Sequence, residues 1–396
     1  MRGDRQAQRG LSRHRSPGSP VNHRKDYDHV TNKPNNIQHH GDLSGKEIRC
    51  RHPQRMVKIP KSAFEHLGFK FAHLARFYMG TIMRNRNISV IICAYTEDRW
   101  NQICDAVGSV REQSLPSFEI ILVIDHNTAL SARAQSAFPD VAVVENQEAQ
   151  GLSGARNTGA ARAQGDIIAF LDDDAVAHED WLKYLADSYE NSKIIGVGGL
   201  TLPRWQTARP AWLPEEFYWV IGCNYLGMAP SGVPVRNVIG ANMSFRHEAF
   251  KSAEGGFVTG IGRTSTGRPL GCEETEFCIR LGQRMPGTMF IMDHRAMIWH
   301  FVSDSRCTVS YFLSRCFAEG ISKAQVAASV GSGDGLSAER AYTTRILPLG
   351  VLHGIKDFLR GDVSGAGRAT AIVAGLAMTS FGYLHGRFSR WFGPSH

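Results

Sequence analysis

The chain has 396 residues, 42% of them hydrophobic, with 45 Lys+Arg against 37 Asp+Glu and a formal net charge of +8. That length accommodates one large domain with appendages, or two domains. The excess charge belongs to residues 1–87, with 18 basic against 6 acidic residues; the remainder holds 27 against 31, so no nucleic-acid partner is expected of the body.

Eight cysteines are scattered without a CxxC pair or finger spacing, which reads as reduced, cytosolic usage. The N-terminus shows no secretory apolar region, and no run of about 20 apolar residues predicts a spanning helix.

Residues 1–60 are too poor in apolar side chains to bury a core and read as a disordered basic leader. Met83 opens MRNRNISVIICAYTEDRW, so an over-extended gene start is an equal reading. Between them, residues 61–87 carry Phe64, Leu67, Phe71, Leu74 and Phe77 or Tyr78 at helical spacing, an amphipathic segment suited to packing on the body or to a membrane surface.

From residue 88 strands alternate with helices. ISVIICAY, FEIILVID, VAVVEN and DIIAFLD predict four strands, with helices over 100–113, 129–137 and 154–164. Continuous apolar strands separated by helices imply a mostly parallel, Rossmann-like sheet covered on both faces. Ligands bind such sheets at the carboxyl ends of the strands, where Thr96, Glu97, Asp125 and Asp172–Asp174 all fall. Residues 203–235, rich in Pro, Trp and Gly, predict an irregular crossing. A helix near 273–285 and the strand MFIMDHRAMIWHF follow. The predicted organisation is a catalytic domain over 88–305 and a helical region over 306–396. Within the latter, 346–359 and 369–384 are apolar yet too short to span, which fits helices on the domain or on a bilayer surface.

The sharpest motif is IIAFLDDDAVAHEDW. Three adjacent carboxylates after a buried strand repel one another and need a cation, a proton or a function. In extended backbone Asp172 and Asp174 share one side and Asp173 points elsewhere. Paired carboxylate oxygens suit Mg2+ or Mn2+. A strand-end turn with capping duty is the plain alternative.

FLDDDA resembles the DxD motif of family 2 glycosyltransferases, enzymes of the GT-A fold. ISVIICAYTEDRW resembles that family's opening strand, implying Ala94, Thr96 and Glu97 beside the nucleoside. ILVIDHN stands where a VDDGS-like string is usual, implying a base contact for Asp125. GLSGARNTGAARAQGD resembles the family's G-x-x-x-ARN-x-G run. It implies that Arg156 and Asn157 face the nucleotide and that Gly151 and Gly154 let backbone approach phosphate. Together with Asp172 and Asp173 these residues form the implied donor site. NVIGANMSFRHEAF and LGCEETEFCIRL resemble the downstream strings, which implies Gly240, Asn242 and Arg280 in the acceptor and donor-sugar pocket. The general base falls to Glu274, with Glu273 as second candidate. IWHF places His300 at the late metal-binding histidine, beside Asp172 and Asp174.

The resemblance implies an inverting transfer of sugar from a nucleotide donor, with UDP expected, assisted by Mn2+ or Mg2+, to an acceptor hydroxyl. YFLSRC through GISKA resembles a subgroup using polyprenyl-linked sugars, so a glycan or polyprenyl-linked acceptor in cell-envelope synthesis is expected. The matching location is the cytoplasm, peripheral on the inner face of the membrane. Two rivals remain: LDDDAV also fits the nucleophile loop of haloacid-dehalogenase-type phosphatases, and a non-catalytic scaffold of the same fold is the third reading.

Overall fold

A computed structural model describes residues 87–252, 256–260, 270–331 and 337–392. The leader over 1–60, and all of the amphipathic segment except residue 87, lie outside the described residues. The first half alternates as the apolar runs dictate: β1 (Ile88–Ala94), α1 (Trp100–Arg111), β2 (Glu119–Ile124), α2 (Thr128–Ala137), β3 (Ala142–Glu145), α3 (Leu152–Arg162) and β4 (Ile167–Asp172). A short β5 (Ala175–Ala177), α4 (Trp181–Ser188) and the long β6 (Ile194–Trp205) follow. Next come β7 (Pro234–Val235), β8 (Asn242–Arg246), α5 (Glu248–Ser252), α6 (Glu273–Arg284) and β9 (Met289–Val302). Helices then prevail: α7 (Val309–Val330), α8 (Ser337–Ala341), α9 (Leu347–Leu359) and α10 (Ser364–Phe392).

The nine strands of the described residues form one sheet, in the order β3-β2-β1-β4-β8-β6-β9-β5, with β7 on β9. The first four pair in parallel, as continuous apolar runs require. Beyond β4 the sheet is mixed. β8 runs antiparallel to both β4 and β6, β6 is parallel to β9, and β5 and β7 are antiparallel to β9. β5, β7 and β8 are short and β6 is interrupted by glycine, while hydropathy gives β9 no direction.

Val90, Ile91 and Ile92 are all fully buried, which is why β1 needs helices on both faces. On one face α1, α2 and α4 contribute Ile103, Val107, Leu130, Trp181 and Leu185. On the other, α3 and α6 contribute Ala155, Ala160, Phe277 and Leu281. Each large aliphatic or aromatic side chain so buried contributes about 1.5–3 kcal/mol. A third core joins the C-terminal helices to the short 3-10 helix Glu215–Ile221. There Phe217 and Val220 meet Phe312 of α7, Leu347 of α9 and Ile372 of α10. The helical region is thereby packed on the domain along one side.

Candidate active site

The aspartates arrive together because of strand pairing. β4 ends at Asp172, and after a two-residue turn β5 pairs antiparallel with β9, setting Ala175 opposite His300. The amide of Phe301 donates to the Asp174 carbonyl at 2.8 Å and locks that register. His300 Nε2 consequently lies 3.0 Å from Asp174 Oδ1 and 3.9 Å from Asp172 Oδ2. Asp173 turns the other way and accepts from Arg99 Nη1 at 2.7 Å.

Asp172, Asp174 and His300 each offer a ligand atom, all within 4.8 Å of one another. Two carboxylate oxygens and an imidazole nitrogen suit Mn2+ or Mg2+. Burial would raise the Asp174 carboxyl, but the His300 charge and hydrogen bond, with Arg99 and Arg306, hold it far below the usual carboxylate range. For His300 burial disfavours the charged form, yet Asp174 outweighs it and pushes the imidazole up to about 10. Asp173 moves the opposite way: burial first, then the charge of Asp174, raise it to about 6 against the pull of Arg99. The His300 Nδ1 and Asp173 Oδ2 atoms are buried without a hydrogen-bond partner.

The two glutamates open α6 and have different partners. Glu273 is buried, and its Oε1 accepts from Arg156 Nη1 at 2.8 Å. Glu274 is half-buried. Its carboxyl is pushed up to about 8, first by burial and next by the charge of Glu273, with Arg156 opposing. Asp172, Arg156, Glu273, Glu274 and His300 line one cavity of about 950 Å³. Its far wall carries Arg315, Glu319 and Lys323 of α7 and reaches α10 at Tyr383 and Leu384.

The family described as glycosyl transferase family 2 matches residues 89–253. The glucosyl-dolichyl phosphate glucuronosyltransferase of Haloferax volcanii is 31% identical over 306 residues, covering 76% of this chain and 96% of that protein. The chain belongs to glycosyl transferase family 2. Glycosyltransferase AglE of the same organism is 31% identical over 130 residues, 31% of this chain and 42% of that protein. Among solved structures, the mannosyltransferase PcManGT from Pyrobaculum calidifontis in complex with GDP-Man and Mn2+ is similar with a TM-score of 0.48. Its identity is 16%, over 80% of this chain and 97% of that one.

Within this glycosyltransferase the remaining expected residues divide into two groups. Ala94, Thr96, Glu97 and Asp125 stand at the neighbouring ends of β1 and β2, outside the wall of the cavity. Thr96 caps the turn through the Asp98 amide at 3.2 Å, and Glu97 is exposed. Asp125 accepts from Asn146 Nδ2 at 2.7 Å and from the Gly151 amide at 2.9 Å, which ties β2 to the start of α3. A Cβ at Gly154 would collide with the Ala149 carbonyl, so that glycine makes room for the loop before α3.

The other group is held within the protein. Asn157 donates to the Phe257 carbonyl at 2.9 Å and accepts from its amide at 2.8 Å. Asn242 is fully buried; it accepts from Trp181 Nε1 at 2.8 Å and donates to the Leu200 and Ala296 carbonyls. Arg280 pairs with Glu276 one turn back on α6 and donates to the Gly256 carbonyl. Of Gly240, Asn242 and Arg280, only Gly240 lines the cavity. Buried Arg156 reaches toward the cleft while also donating to the Gly240 carbonyl at 3.0 Å.

Sequence reading missed Arg99 and Arg306, which lie 3.2 and 3.3 Å from Asp174 Oδ2. It also missed the charged series on the far wall. There Lys323 lies between Glu319 at 3.3 Å and Glu339 at 2.7 Å, and Glu339 takes both terminal nitrogens of Arg236. The helical spacing of Arg315, Glu319 and Lys323 was a readable hint that these residues share a face.

Proposed function

We propose that this glycosyltransferase moves a sugar from a nucleoside diphosphate donor, UDP being the first candidate, to a hydroxyl of a glycan carried on a polyprenyl lipid. The observation that carries the reading is one cavity presenting Asp172, His300 and Glu274 together. Acids gathered for separate structural duties would have no reason to converge on one void.

Asp172, Asp174 and His300 would hold Mn2+ or Mg2+. The chemistry such an ion supplies is neutralisation of charge on the departing nucleoside diphosphate. Glu274 takes the proton from the acceptor hydroxyl as its oxygen attacks the anomeric carbon. A base facing the side away from the leaving group gives inversion. Arg156 holds Glu273 in place through their 2.8 Å hydrogen bond, and the charge of Glu273 raises the neighbouring Glu274 carboxyl. Arg99 and Arg306 hold Asp174 in place from the side opposite His300.

The Haloferax relative bears the name of a glucuronosyltransferase acting on glucosyl-dolichyl phosphate, which supports a uronic-acid donor and a lipid-linked sugar acceptor. The test is release of UDP from UDP-glucuronate and from UDP-glucose, with Mn2+, with and without a glucosyl polyprenyl phosphate. Transfer that needs both metal and acceptor is expected. No turnover with any nucleoside diphosphate sugar across such a panel would overturn the reading.

A further inference from the structure

Apolar exposure in this chain is concentrated in one place. Of sixteen large apolar side chains exposed among the described residues, ten lie between Leu349 and Phe388. On α9 they include Leu349, Leu352 and Leu359, the last 78% exposed. On α10, Val373, Phe381, Leu384 and Phe388 recur at three-, four- and eight-residue steps, a single stripe along the helix. The opposite faces of the same helices are the packed ones: Leu347 and Ile372 belong to the third core.

Two features identify what this stripe meets. Exposed cations border it: Lys356 and Arg360 on and after α9, and Arg387 on α10. No described helix is long and apolar enough to cross a membrane. An apolar stripe with cationic edges on a non-spanning helix is the pattern of a helix lying in the interfacial layer of a bilayer with anionic headgroups.

The second feature is continuity with the cavity. Leu384 is both an exposed member of the stripe and part of the cavity wall, and exposed Arg345 and Ser380 stand at the same rim. The void that holds Asp172 and Glu274 at its polar end therefore opens beside the apolar stripe.

We propose that α9 and α10 dock on an anionic bilayer and that the rim at Arg345, Ser380 and Leu384 is the entry for a lipid-linked acceptor, its chain staying in the bilayer while its sugar reaches Glu274. The entry half rests on the catalytic reading above; the docking half does not.

The test floats the full chain with vesicles of phosphatidylcholine mixed with phosphatidylglycerol. Two variants keep clear of the cavity wall: Leu352→Glu with Phe388→Glu, and the gentler charge reversal Lys356→Glu with Arg387→Glu. Wild type is expected to float. The first variant should lose about tenfold or more in partitioning and the second several-fold. Both should keep wild-type slow hydrolysis of the donor in solution. The proposal is overturned if wild type stays out of the vesicle fraction, if either variant floats like wild type, or if the stripe instead joins two copies, seen as a dimer that the variants dissolve. Vesicle binding without donor hydrolysis in wild type would sink the catalytic reading and the entry route with it, leaving the docking surface standing.

Discussion

Arg156 Nη1 donates to Glu273 Oε1 at 2.8 Å, and both side chains are almost wholly buried. That pair separates the two glutamates that open α6. Glu273 is engaged by a cation, whereas Glu274 meets a carboxylate neighbour and the cavity. The expected outcome is that Glu274→Gln lowers kcat by about 10²–10⁴ with the melting temperature little changed. Glu273→Gln should instead leave buried Arg156 with Asp172, at 3.5 Å, as its remaining ion-pair partner and cost about 1–3 kcal/mol of stability. Denaturant melts and initial rates on both variants check this, and equal unfolding costs would refute the division of roles.

The raised carboxyl of Glu274 has a sign that can be measured. A base must be ionised to act, so with its carboxyl at about 8 the kcat/KM should climb with pH below that value and level off above it. The slope approaches about tenfold per pH unit on the acid side. Stability moves the other way. The folded state holds this proton more tightly than the unfolded chain, so the group's contribution is full below the unfolded carboxylate value and is lost as pH rises through about 8. A pH–rate profile whose acid limb persists in Glu274→Gln would assign that limb to another group.

Metal dependence should follow the Asp172, Asp174 and His300 set. Wild type is expected to gain thermal stability on adding Mn2+, and His300→Ala and Asp172→Asn to lose most of that gain. Gly222 offers a subtler version. Its φ is +79° and a Cβ would stand 3.0 Å from His300 Cε1, so Gly222→Ala should both cost about 1–2 kcal/mol and weaken Mn2+ binding. Thermal shifts with graded Mn2+ decide it; unchanged shifts in all three variants would remove the ion from this site.

Asn242 should behave as a structural residue. Asn242→Leu leaves Trp181 Nε1 and two backbone carbonyls without their partner, at about 2–4 kcal/mol in total. Residual folded enzyme should keep its KM for donor. A raised KM with unchanged melting would instead place Asn242 against substrate.

The first four strands were legible because each is an unbroken apolar run, buried on both faces in β1, β2 and β4. β5 was not, since three residues of alanine and valine gain their strand character only from pairing with β9. The acidic trio and His300 were legible as neighbours because motif order in a known family carries spatial information. Arg99 and Arg306 belong to no such string, and a lone arginine looks the same whether it meets solvent or a buried aspartate. Asn157 and Asn242 show the reverse problem. Both sit in motif positions, yet their partners are atoms of Phe257, Trp181, Leu200 and Ala296, whose nearness only the folded backbone determines.

The seam between α7 and α10 is built on Gly320 and Gly382. A Cβ on the first would strike the Thr379 carbonyl, and one on the second the Phe317 carbonyl. Backbones so close leave no room for a side chain between them, so α10 lies directly against the helix that carries Arg315, Glu319 and Lys323. A side chain added at either glycine would part the two helices and so displace the charged wall of the cavity that Glu274 also lines.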